Sequence, residues 1–198
     1  MPYPRCVCLF VVLGIVLSLA AQAQQSATHP KAAPPLDNDF VQKQFGSTCT
    51  LMPGPTPLTA DLDGDGIEDV VIVARCSNPL MDETENNYKV VDPYNAFFGY
   101  GDPKITSQFA SEDPQSRGLS LLIIHGSGPE AWRSTTPKAK FIVINLPFKQ
   151  IALKKLAEHK KTITAIYAKE SREGEGTVSV VFWDGKKYKY RPIGSSME

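Results

Sequence analysis

The chain is poor in the residues from which metal centres and covalent catalysts are most often built. It carries three histidines, His29, His125 and His159, and four cysteines. No histidine has a Cys or His partner at ligand spacing, which argues against a zinc site. No G-x-S-x-G stretch occurs, so the nucleophile elbow of an α/β-hydrolase is missing. Charge of either sign is not in excess: 21 Lys and Arg balance 21 Asp and Glu. There is neither a basic stripe interleaved with aromatics nor a nucleic-acid motif, and no nucleic-acid partner is expected. No repeat of 20 to 50 residues stands out. Beyond residue 21 no apolar run approaches the roughly 20 residues that cross a bilayer as a helix.

One apolar run does exist, Cys6 to Ala21, preceded by Arg5 as the only charge and followed by Ala21-Gln22-Ala23. A charged start, an apolar stretch and a small-x-small site together predict a secretory signal peptide over 1–23. Residues 24–36, QQSATHPKAAPPL, are rich in Gln, Ala and Pro without periodicity and read as a flexible leader. The remaining 37–198 are one domain's worth of chain. The expected location is the periplasm or the cell exterior, with no transmembrane anchor after signal cleavage. Two cysteines, Cys49 and Cys76, stay in the mature chain, an even pair suited to an oxidising compartment. A disulfide between them would enclose the most acidic stretch of the sequence; two separate buried thiols are the alternative.

Charge is unevenly placed although it sums to zero. Residues 24–117 carry a net −8 and residues 118–198 a net +7. Attraction between the two halves within one domain is the simplest reading; an anionic partner for the basic half is the other.

The patterning is mainly that of strands. Residues 37–45, DNDFVQKQF, read as one short helix that Asp37 or Asn38 can cap and Gly46 can stop. Val70 to Ala74 is an unbroken apolar run of the kind buried on both faces. Strands are expected at Leu119 to His125, Lys140 to Leu146 and Thr162 to Lys169. A hairpin should join Thr177–Trp183 to Lys187–Arg191 across Asp184-Gly185. Ile151 to His159 fits either a short amphipathic helix or a strand and a basic turn. Residues 77–117 have little pattern beyond four aromatics, Tyr94, Phe97, Phe98 and Tyr100. These rings fit core packing, or a platform for a glycan or peptide. The expected class is a mainly β, largely antiparallel domain with one or two short helices, α+β being the fallback.

The chemistry-bearing stretch is 61-DLDGDGIEDVVIVARC-76. Counting from Asp61, carboxylates fall at positions 1, 3, 5 and 9, namely Asp61, Asp63, Asp65 and Asp69. Gly66 stands where the chain must turn, and Ile67 can offer its carbonyl. Ca²⁺ takes six to eight hard oxygen ligands, and this spacing supplies most of them. An acidic turn without an ion is the plain alternative. The loop is no EF-hand, because its twelfth position is Ile72. D-x-D-x-D-G-x-x-D running into a hydrophobic strand resembles the calcium loops of FG-GAP and VCBS repeats, over about 15 residues and once only. That resemblance implies a structural Ca²⁺ between adjacent strands; a whole propeller would need many more strands. Glu68 is expected to face solvent.

Two weaker candidates complete the reading. 121-LLIIHGSGPEAW-132 is similar in outline to the oxyanion-loop region of hydrolases, with His125 and Ser127 as the residues to watch; a strand ending in a Gly-rich turn, with Trp132 as a core anchor, is the structural alternative. Lys154, Lys155, Lys160 and Lys161 form a basic cluster suited to a solvated face or an anionic surface. The leading expectation is a non-enzymatic, calcium-stabilised binding or interaction module of the cell envelope, with a protein or glycan partner. A small secreted hydrolase and a purely structural envelope protein are the alternatives.

Overall fold

The computed structural model describes residues 35–100, 116–170 and 177–194. The expected signal segment 1–23, positions 24–34 of the leader with His29, and the Gly-Asp-Pro break at 101–103 lie outside the described residues.

Helix α1, Asn38–Phe45, starts where Asp37 accepts the amide of Phe40 and ends at Gly46, as the sequence indicates. Strands β1, Cys49–Leu51, and β2, Leu58–Ala60, both lie along β3, Asp69–Cys76. They are followed by β4, Lys89–Val91, α2, Pro93–Phe98, and β5, Leu119–His125. A short 3₁₀ segment, Gly128–Arg133, then leads to β6, Ala139–Val143. The chain ends its described course in β7, Phe148–Glu158, β8, Lys161–Glu170, β9, Val178–Trp183, and β10, Tyr188–Gly194.

The strands form two sheets. One runs β1-β3-β5-β6-β4 with β2 also on β3, antiparallel throughout except for the parallel β4–β6 pair. The other is the antiparallel meander β10-β9-β8-β7. The domain is therefore mainly β, as expected. The ambiguous Ile151 to His159 is a strand and a basic turn: β7 pairs with β8 from Phe148 to Glu158, and His159-Lys160 makes the reversal.

Alternation along the central strands explains their unbroken apolar runs. Val70, Ile72 and Ala74 of β3, with Leu122 and Ile124 of β5, pack against Phe40, Phe45 and Trp132. Val71 and Val73, with Leu121 and Ile123, face the second sheet and meet Ile166, Val181, Tyr188 and Tyr190. The first sheet is thus sandwiched, and a strand with both faces covered carries no polar alternation. Each buried aliphatic side chain on it contributes about 1.5–3 kcal/mol.

β1 and β3 place Cys49 directly opposite Cys76, with sulfurs bonded and both residues buried. Among the described residues no helix is long and apolar enough to cross a membrane.

Candidate metal site and adjoining cleft

The acidic loop joins β2 to β3 and is folded by its own carboxylates. Asp61 accepts the amides of Gly64 at 2.7 Å and Gly66 at 2.9 Å. Asp63 accepts the amide of Asp65, and Asp65 that of Ile67. Asx-type bonds of this kind fix tight turns that a backbone ladder does not reach. Gly64 and Gly66 sit at φ +83° and +84°, where a side chain is strained. As a result, Asp61, Asp63 and Asp65 each bring a carboxylate oxygen to within 4.8 Å of the others.

Asp69, at the mouth of β3, turns inward. One oxygen accepts the amide of Leu62 and the other that of Gly126, each at 2.8 Å. It is 1% exposed, and burial pushes its carboxyl up to about 6 against the pull of those two amides. With Asp63 and His125 it forms a second group whose ligand atoms lie within 4.8 Å of one another. Asp63 belongs to both groups. The four expected aspartates therefore lie around one junction: Asp61, Asp63 and Asp65 form one group, and Asp69 braces the loop to the β5 turn. Ile67 is engaged through its amide on Asp65.

His125 and Lys138 join this junction without any signal in the loop's spacing. His125 closes β5 with its ring buried. Its Nδ1 lies 3.2 Å from Asp63 and its Nε2 2.6 Å from the Tyr188 hydroxyl. Burial holds the imidazole below its usual range, so the neutral ring donates from Nδ1 to the carboxylate and accepts at Nε2 from the phenol. Phe141, Trp183 and Tyr188 surround it. Burial likewise raises the Tyr188 phenol well above its usual value. Lys138, before β6, sets its ammonium 2.8 Å from Asp63 and 2.6 Å from Asp65. That contact holds Asp65 below the usual carboxylate range and raises the lysine.

Glu68 is exposed, as expected, and its carboxylate also accepts the indole N–H of Trp132 at 3.0 Å. Trp132 is buried and meets Phe40 edge-on, the anchor foreseen from sequence. The residues of the His-Gly-Ser-Gly turn are engaged structurally. The Gly126 amide serves Asp69, and the Ser127 hydroxyl donates to the Thr136 carbonyl and is hydrogen-bonded to the Ser134 hydroxyl.

Beside the loop lies a cleft of about 1000 Å³. Asp61 and Asp63 line it together with Lys155, Lys160 and Lys161 of the β7–β8 hairpin and Trp183. This is where part of the basic cluster noted in the sequence faces the acidic half of the chain.

The aromatic residues divide. Tyr94 packs onto Tyr190 and the inter-sheet core. Phe97, Phe98 and Tyr100 are 51%, 45% and 72% exposed and extend that cluster to the surface.

Against known proteins, no protein-family model, curated protein or solved structure matches this chain.

Proposed function

We propose that the protein is an exported binding module whose acidic loop is stabilised by Ca²⁺, working in the periplasm or outside the cell with an envelope protein or glycan as partner. The observation that carries the metal reading is the convergence of Asp61, Asp63 and Asp65 within 4.8 Å. Oxygens bound to one Ca²⁺ at about 2.3–2.6 Å lie no further than about 5 Å apart, so this donor set fits a hard cation. The Ile67 carbonyl is the proposed fourth ligand, and Asp69 holds the loop's exit strand in place. Export is supported by the N-terminal sequence pattern and by the Cys49–Cys76 pairing.

A binding role is favoured over a purely structural one by the cleft beside the loop and by the exposed Phe97, Phe98 and Tyr100. The hydrolase alternative draws no support from the geometry. Both ring nitrogens of His125 are taken up by Asp63 and Tyr188, and Ser127 is bonded elsewhere.

An ion that binds only the folded state stabilises it by mass action. The melting temperature is therefore expected to rise with Ca²⁺ and fall with a chelator. Asp63→Ala combined with Asp65→Ala should abolish the difference. A wild-type melting curve indifferent to both additives overturns the reading.

A further inference from the structure

We propose that Lys138 is an internal cation that competes with Ca²⁺ for the acidic loop, so that the loop exchanges between a lysine-closed and a calcium-loaded form. The inference rests on reading the loop as a calcium site and adds the residue that sets its affinity.

The geometry places the ammonium in the path of an ion. Lys138 Nζ bonds Asp65 at 2.6 Å and Asp63 at 2.8 Å through one oxygen of each. Those two carboxylates belong, with Asp61, to the set whose oxygens converge within 4.8 Å. An ammonium and a Ca²⁺ cannot both sit among them, because each needs the same lone pairs. Like charges held so close would also repel.

The lysine is built to leave. Its backbone is fixed, with its amide donating to the carbonyl of His125 at 3.0 Å. Its side chain is 49% exposed, so a rotation of the four-carbon stem carries the ammonium into water without disturbing the sheet. The carboxylates, by contrast, are held by bonds to the loop's own amides, none of which involves the lysine. The two states thus differ mainly in which cation the loop holds. The lysine-closed form keeps the acidic loop folded when the ion is scarce, at the expense of calcium affinity. A site available in only a fraction of molecules binds more weakly by that fraction; if about nine loops in ten are lysine-closed, affinity falls about tenfold.

Calorimetric titration with Ca²⁺ alone, on the whole protein, tests this. Lys138→Met should lower the melting temperature in chelator yet bind Ca²⁺ about three- to tenfold more tightly than the wild type. Lys138→Arg, which keeps a cation in place, should bind close to the wild type. A lysine of merely structural value would weaken the fold and leave calcium affinity unchanged. Folded Lys138→Met with unaltered or weaker affinity therefore overturns this inference while the calcium reading stands. Absence of binding by both proteins overturns both. A measurement on the wild type guards against a variant that fails to fold. The ion-paired ammonium of Lys138 should give a slowly exchanging ¹⁵Nζ resonance in chelator that disappears on saturation with Ca²⁺. A resonance that survives saturation counts against the exchange.

Discussion

Asp63 and His125, 62 residues apart in the chain, are joined by a buried contact of 3.2 Å between a carboxylate oxygen and Nδ1. Through it the outer loop is tied to the aromatic cluster between the sheets, because the same ring reaches Tyr188 with its other nitrogen.

That arrangement makes Tyr188 more than a core ring. Its hydroxyl satisfies an imidazole nitrogen which has no access to water. Tyr188→Phe keeps the ring and leaves Nε2 unpaired, at an expected cost of about 1–3 kcal/mol. Urea unfolding measures it; an unchanged midpoint would show that the bond is not needed.

Asp69 should titrate at about 6, raised by burial. The unfolded chain releases the same proton near 3.9. The folded state therefore holds the proton more tightly. This carboxyl's contribution to stability is greatest below about pH 4 and falls as pH rises to about 6, by about 3 kcal/mol in all. Bound Ca²⁺ favours the ionised form and should move the midpoint down. The ¹³C resonance of the Asp69 carboxyl reports both effects directly. A midpoint near 4 in chelator contradicts the expectation.

Gly126 is required by close approach rather than by a special backbone angle. A Cβ there would lie 2.4 Å from the carbonyl oxygen of Glu68 and 2.9 Å from Ile67. Gly126→Ala must push the β5 turn away from the loop and strain the Asp69–Gly126 bond. Destabilisation of about 1–3 kcal/mol is expected from such overpacking, together with a weaker calcium response in thermal melts. A variant as stable as the wild type would show that the junction has slack.

The Cys49–Cys76 bond closes a segment with a sequence separation of 27 that contains the entire acidic loop. By the loop-entropy relation it contributes about 3–4 kcal/mol. Cys49→Ala with Cys76→Ala should shift the denaturant midpoint accordingly and bring the wild type under reducing conditions close to the double variant.

Much of the framework could be read in advance because it is set by local pattern. Asp37 and Gly46 bound α1, the apolar runs of β3 and β5 mark strands covered on both faces, and Asp184-Gly185 turns the last hairpin. Where the pattern was ambiguous, pairing decided: Ile151 to Glu158 is a strand because β8 lies alongside it. β4 and α2 were hidden in the weakly patterned stretch after Ser77. β4 is three residues long and owes its place to a parallel neighbour distant in sequence.

The site divides along the same line. The sequence by itself determined the spacing of Asp61, Asp63, Asp65 and Asp69, since ligand spacing within one loop is local information. It also offered Cys49 and Cys76 as a candidate pair on either side of that loop. Only the tertiary structure brought Lys138 onto Asp63 and Asp65, turned Asp69 inward to Gly126, set Trp132 on Glu68 and placed His125 between Asp63 and Tyr188. Each of those contacts spans more than 50 residues. Those on the loop arise because β5 lies beside β3 and β6 beside β5, which carries the strand ends and their turns to it, and Tyr188 reaches His125 because the second sheet packs against the first. Ligand spacing is written along the chain, whereas the groups that neutralise, brace or bury those ligands are chosen by which strands become neighbours.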